Sequence, residues 1–161
     1  MQNSRMTICS AKCAFLLAAC AINPLWAVSA RAALGSDAAS VLADGVSMHA
    51  GVHVDIRQQY DVHEISAATG VSVREYLNRD GIVFAVSWSG PVPPDLQRLL
   101  GMHFTAYAAA LTALSHPGIH RSVRLTSTGL VVELGGHLRA YTGRAYVVAL
   151  VPSGVSAAEL R

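Results

Sequence analysis

Hydrophobic and polar positions alternate along much of the chain from Tyr60 onward. Y-D-V-H-E-I-S, V-S-V-R-E-Y-L and I-V-F-A-V-S-W are three short stretches separated by turn residues at Thr69-Gly70 and at Asn78-Arg79-Asp80-Gly81. In the third, Ile82, Phe84, Val86 and Trp88 share one face while Val83, Ala85 and Ser87 share the other, a strand period. The Asn78–Gly81 segment suits a type I turn with glycine in the left-handed bulge position. The pattern predicts a three-stranded antiparallel meander. Upstream, Ser36-Asp37 caps a short helix through A-A-S-V-L-A-D that ends near Gly45. Between them, Met48 to Gln59 gives no clear assignment.

Gly90-Pro91-Val92-Pro93-Pro94 stops the sheet, because prolines cannot donate to a ladder. Asp95 then caps the best helix in the sequence. Leu96, Leu99, Leu100, Phe104, Tyr107, Leu111 and Leu114 recur at three- and four-residue steps, and Ser115-His116-Pro117-Gly118 ends it. Gly101 costs this helix about 1 kcal/mol relative to alanine and marks a close approach to the sheet. A second strand-rich block follows: V-R-L-T-S, a turn at Thr128-Gly129, L-V-V-E-L, a turn at Gly135-Gly136, then H-L-R-A-Y and A-Y-V-V-A-L-V up to Pro152. Ser156 caps one last turn. The expectation is a single α+β domain, with a largely antiparallel sheet of two meanders of about three strands packed by one long helix.

The first residues follow a different pattern. Arg5 and Lys12 precede an unbroken apolar run from Cys13 to Ile22, and small residues follow at Ala30-Arg31-Ala32. A basic start, a ten-residue apolar run and an A-x-A site describe a signal peptide over residues 1–32. Cleavage is expected after Ala32, with the site after Ala30 the alternative. The run is too short to span a bilayer, which takes about 20 residues. Residues 33–161 are therefore read as one exported domain, periplasmic or secreted, with no transmembrane segment. Leu17-Ala18-Ala19-Cys20 also has the form of a lipobox, so a lipoprotein anchored through Cys20 is the alternative.

Processing changes the composition. Cys9, Cys13 and Cys20, the 3 cysteines of the chain, all lie in the leader, as does Lys12, its one lysine. Disulfides, thiolate chemistry, Schiff-base lysines and phosphate-loop lysines drop out together. Loss of Arg5, Lys12 and Arg31 leaves 9 of the 12 basic residues against 10 acidic ones, a formal charge of −1. Neither a basic tail nor a basic helix is present, which argues against nucleic-acid binding.

Histidine is the enriched functional type, and all 7 histidines lie beyond the leader. His49 with His53 and His116 with His120 have H-x-x-x-H spacing, but Gly51 and Pro117-Gly118 oppose the helix that would align each pair. His63-Glu64 begins like H-E-x-x-H and fails at Ala67. A metal-binding protein or metal-dependent hydrolase, with a divalent metal held by His49, His53, His63, His116 and His120, is thus the alternative, and no other cofactor is predicted. Glu64 and Glu75 would oppose each other across the first hairpin if its turn were two residues long; a one-residue slip abolishes the meeting. S-W-S-G-P around Ser89 is not a nucleophile elbow, and no catalytic residue is assigned. In G-G-H-L-R-A-Y-T-G-R-A-Y, His137, Arg139 and Arg144 make a polar face suited to an anion or carboxylate, with solvated strand residues as the competing reading.

The segments V-R-E-Y-L-N-R-D-G-I-V-F-A-V-S-W-S-G-P, P-D-L-Q-R-L-L-G and G-G-H-L-R-A-Y-T-G-R-A-Y resemble a family of small exported proteins of Gram-negative bacteria, catalogued as domain of unknown function 2844. The resemblance runs from Ala33-Leu34-Gly35 to the final P-S-G-V-S-A-A-E-L-R. It implies one exported domain whose signature lies in Glu75-Tyr76, Trp88, Gly90-Pro91, Asp95 and the Gly-Gly-His run, and it implies no activity. What remains is an expected non-enzymatic envelope module that binds an envelope protein or a small ligand. Its candidate ligand residues are His137, Arg139, Arg144, Glu75 and Trp88.

Overall fold

Alternating strands bury one face at a time, and here both faces find a cover. The computed structural model describes residues 34–47, 49–114 and 122–161. The expected signal peptide with Cys9, Cys13 and Cys20, and the His116/His120 pair, lie outside the described residues. The elements run α1 (Ala38–Ser47), β1 (Gly51–Ile56), β2 (Asp61–Ser66), β3 (Ser72–Leu77), β4 (Val83–Gly90), α2 (Leu96–Leu100), α3 (Phe104–Thr112), β5 (Ser122–Ser127), β6 (Leu130–His137) and β7 (Ala140–Val147). Among the described residues no helix is long and apolar enough to cross a membrane.

The α+β class holds, but the two meanders fuse. All seven strands form one antiparallel sheet in the order β1-β2-β3-β4-β7-β6-β5. The helical crossover carries the chain from β4 to the far edge, and β5, β6 and β7 then return until β7 pairs with β4. β4 therefore lies in the middle, which accounts for its burial on both faces from Val83 to Trp88.

The local signals mostly act as their chemistry dictates. Asp37 accepts the Ser40 amide at 3.1 Å and Asp95 accepts that of Arg98 at 3.2 Å, so both helices carry side-chain N-caps. Ser156 and Glu159 form a capping box on the last turn. Asn78 Oδ1 accepts the amides of Asp80 and Ile82 at 3.1 and 3.0 Å, and Gly81 takes φ 74°. Thr128 and Gly129 both have positive φ, 49° and 80°, the two-residue turn whose twist matches the flanking strands.

Four expectations are corrected. The unassigned Met48–Gln59 stretch holds β1, whose V-H-V-D-I alternation is masked by exposure along most of the strand. Gly135-Gly136 is not a turn but part of β6; the chain reverses at Leu138-Arg139, and H-L-R-A-Y and A-Y-V-V-A-L-V merge into β7 followed by a 3₁₀ turn, Val148–Leu150. A Cβ on Gly136 would sit 2.1 Å from the Ala140 carbonyl oxygen, so glycine there serves close strand approach. The long helix breaks at Gly101, with φ 50°, into α2, a 3₁₀ turn (Gly101–His103) and α3. Last, the β2–β3 connection spans Ala67 to Val71, where the Ala67 amide donates to the Val71 carbonyl.

Two apolar clusters result. On one face α1, α2 and α3 cover Ile65, Val73, Val86 and Val132 with Leu99, Leu100 and Tyr107. On the other, residues 148–161 form a strap whose Leu160 is buried with Val131, Tyr146 and an aromatic trio, Tyr60, Tyr76 and Phe84, at centroid distances of 5.8–6.2 Å. Full burial of one such side chain stabilises by about 1.5–3 kcal/mol.

Candidate functional site

Residues paired directly across antiparallel strands point to the same face. Following the registers from one edge to the other gives His53, Glu64, Arg74, Ser87, Arg144, Glu133 and Arg124, one per strand. This polar row lies on the face covered by the strap. Each carboxylate has a guanidinium neighbour. Arg74 Nε lies 3.1 Å from Glu64 Oε2, Arg144 Nε donates to Glu133 Oε2 at 2.6 Å, and Arg124 Nη1 reaches Glu133 Oε1 at 3.0 Å. The Arg74 hydrogen bond holds the Glu64 carboxyl below its ordinary range against the opposing effect of burial, with the Ser72 hydroxyl helping at 3.2 Å.

The same arginines hold the strap. Arg74 Nη1 donates to the Arg161 carbonyl at 2.6 Å, Tyr76 Oη donates to it at 2.9 Å, and Arg144 Nη1 donates to the Ala157 carbonyl. Tyr76 is 1 % exposed and its hydroxyl also meets Ser87 Oγ at 3.2 Å. Burial raises the Tyr76 phenol above its ordinary value, and the Ser87 hydrogen bond offsets part of that.

Beside the strap the sheet leaves a cavity of about 530 Å³. Arg74, Arg144, Arg161 and Glu133 supply its charges, Ser72, Ser87, Ser89, Ser122 and Thr142 its hydroxyls, and Leu160 an apolar wall. A smaller cavity of about 310 Å³ continues on the other side of Arg74 and Arg161, lined by His53, Glu64, Tyr76 and Glu159 among others. Cationic groups and hydroxyls converging on one recess can hold a small anion bearing hydroxyl groups.

The residues expected from the sequence are scattered. Arg144 lines the large cavity, and Trp88 borders it while lying 5 % exposed in the helix-side core. A Cβ on Gly143 would come within 2.3 Å of the Trp88 ring, so the indole lies against the Gly143 backbone. Glu75 is fully buried on the helix-covered face, paired in register with His63 and Val86. His137 and Arg139 sit at the β6–β7 reversal; His137 is exposed, with Nδ1 3.1 Å from the Leu138 carbonyl, and Arg139 has φ 66°. The proposed face of His137, Arg139 and Arg144 is therefore not formed.

Glu64 and Glu75 do not meet either, because Glu64 pairs with Arg74 and Glu75 with His63. The longer β2–β3 connection shifts the register by the one residue that sends the two carboxylates to opposite faces. His53 and His63 likewise project from opposite faces of β1 and β2, and His49 occupies the turn before β1. Among the described residues no group of three or more His, Cys, Asp or Glu side chains is placed to hold a metal ion. Burial lowers the His63 imidazole below its ordinary value, with Asp61 acting weakly the other way, and its buried Nδ1 has no hydrogen-bond partner. His103, in the 3₁₀ turn between α2 and α3, is half-buried and shifted in the same direction by the same cause.

Sequence reasoning missed Arg74, Glu133, Ser87, Arg124 and Arg161. The lone acid of L-V-V-E-L and the lone arginines of S-V-R-L-T-S and S-V-R-E-Y are the available signal, since a single charge in a strand of apolar residues needs a partner on its own face. The model of the family described as "Protein of unknown function (DUF2844)" matches residues 30–160, and the chain belongs to that family. No curated protein and no solved structure matches the chain.

Proposed function

We propose that this member of the DUF2844 family is a non-enzymatic binding module of the bacterial envelope, holding a small hydroxylated anion between strap and sheet. The observation that carries the reading is the recess of about 530 Å³ lined by three arginines, one glutamate and five hydroxyl side chains. Its volume lies within the roughly 300–1,000 Å³ of small-molecule sites. The charge balance of those residues favours an anion, and the hydroxyls suit a polyol skeleton. Binding is favoured over acid/base catalysis by two titratable groups of the neighbouring recess, Glu64 and Tyr76. Glu64 is held ionised by Arg74 and Tyr76 is held protonated by burial, so both are driven away from neutrality rather than toward it.

The leader pattern supports export to the periplasm or beyond, with lipid attachment at Cys20 as the competing route. A native mass spectrum of the protein exported from a Gram-negative host distinguishes them. A mass running from Ala33 to Arg161 is expected; a diacylglycerol on Cys20 replaces the free periplasmic form with an anchored one, and stoichiometric divalent metal revives the histidine alternative. For the ligand, thermal unfolding with sugar acids, phosphate esters, dicarboxylates and neutral sugars is the direct test. Anionic compounds raise the midpoint and neutral sugars do not. Ser89→Trp, which fills the rim of the recess, abolishes that rise while leaving the ligand-free midpoint in place. A rise that survives in Ser89→Trp, or no rise with any anion, overturns the reading.

A further inference from the structure

We propose that β1 is a homodimerisation edge, at which a second copy of this chain pairs its own β1 antiparallel to the first with Val54 on the two-fold axis. β1 is one of the two edge strands and pairs along one side only, with β2. The Arg57 amide donates to the Tyr60 carbonyl and closes the hairpin around Gln58-Gln59. Antiparallel pairs alternate between bonded and non-bonded, so Asp55, His53 and Gly51 exchange hydrogen bonds with β2. The amides and carbonyls of Val52, Val54 and Ile56 therefore point away from the sheet.

Edge strands are normally guarded by charge, proline or a bulge. β5, the other edge, carries Ser122, Arg124 and Thr126 and has α3 packed beside it. The helix-side face of β1 has no such guard: Val54 is 45 % and Ile56 74 % exposed, and the register with β2 is unbroken. Leu42 and Val46 of α1, the helix that packs on β1, are exposed as well.

The sequence of β1 selects its occupant. With Val54 opposite Val54 of the second copy, Val52 faces Ile56 on the apolar side, and on the other side each His53 imidazole meets an Asp55 carboxylate. The two His53–Asp55 pairs fall at non-hydrogen-bonded positions, where opposing Cα atoms approach to about 4.5 Å and side chains are closest. Asp55 Oδ2 takes Arg57 Nε at 3.0 Å within its own chain, which leaves the other oxygen for the incoming histidine. Any one-residue shift places valines against His53 or Asp55 on mismatched faces. Centring on His53 or Asp55 instead opposes two histidines or two carboxylates. The Val54-centred register satisfies both faces along the whole strand, whereas centring on Ile56 pairs Asp55 with Arg57 but sets Val54 against Gln58 of the turn. Being isologous, the Val54-centred pairing closes at two copies.

The processed chain has no cysteine, so an introduced one reports position cleanly. Val54→Cys is expected to form an intermolecular disulfide under mild oxidation, since about 5.5 Å between Cα atoms of a hydrogen-bonded pair lies within disulfide range. Ile56→Cys, more exposed than Val54 but opposite Val52, is expected not to cross-link. Sedimentation of the unmodified protein should show a monomer–dimer equilibrium, and Val54→Lys, which sets two ammonium groups together on the axis, should weaken it at least about tenfold, ~1.4 kcal/mol. A parent that stays monomeric to millimolar concentration overturns the proposal. So does a dimer that survives Val54→Lys, equal cross-linking of both cysteines, or open-ended assembly through β1 and β5.

Discussion

Two adjacent rows of residues cross the same seven strands and finish the two faces in opposite ways. The row facing the helices reads Val52, Ile65, Val73, Trp88, Gly143, Leu134 and Val123. One residue along each strand, the row facing the strap reads His53, Glu64, Arg74, Ser87, Arg144, Glu133 and Arg124. The first is specified by volume, with Trp88 lying over the one glycine that admits it. The second is specified by partners, because each half-shielded carboxylate needs a guanidinium, and Arg74 and Arg144 also serve strap carbonyls. A volume-specified face is held by close packing. A partner-specified face leaves recesses, such as the one of about 530 Å³ beside the strap.

The largest effect expected is on the volume side. Trp88→Ala leaves a void over Gly143 and should cost about 3–5 kcal/mol in a denaturant titration. Leu160→Ala removes an equally buried side chain from the strap, but the strap can lift from the sheet without unfolding it. We expect a loss of about 2 kcal/mol, at the low end of the usual span for core sites. Hydrogen exchange should accelerate at residues 155–161 while β4 stays protected; acceleration throughout β4 would mean that strap and sheet unfold as one and the comparison fails.

Glu133→Gln tests the partner side. It leaves Arg124 and Arg144 adjacent without their shared carboxylate and should cost about 1 kcal/mol at low salt. The difference from the parent should shrink as salt screens the arginines. A loss unchanged by salt would assign Glu133 a packing role instead.

The smallest effect is a pH slope. Burial lowers His63 and His103, so below the ordinary imidazole value of about 6.5 the unfolded chain takes up protons that the folded one refuses. The stability that these two contribute is complete above that value and is lost as pH falls through it toward their lower folded values. Unfolding midpoints should therefore fall between about pH 7.5 and 5.5, and His63→Gln should flatten part of that fall. An unchanged slope in His63→Gln would place the dependence elsewhere.

Much of this was legible in the sequence because the responsible forces are local. Asp95 and Ser156 cap their turns, Thr128-Gly129 supplies two positive φ angles, and Asn78–Gly81 closes β3 onto β4. Gly135-Gly136 was misread because a glycine needed by a neighbouring strand looks, in sequence, like a glycine needed by a turn. The site was less legible than the fold. Glu64 and the G-R-A-Y arginine were singled out, but Glu64 was matched to Glu75 when its partner is the preceding residue, Arg74.

The sequence by itself determined the α+β class, where most strands begin and end, which residues alternate across them, and the leader pattern ahead of Ala33. Period-two alternation and capping act over a few residues, so they are written in adjacent positions. Only the tertiary structure decided that β7 docks on β4, that the meanders become one sheet, and that seven isolated polar residues align in one row beneath the strap. Those outcomes depend on register between distant strands, where a shift of one residue changes every face, and no local pattern encodes that choice.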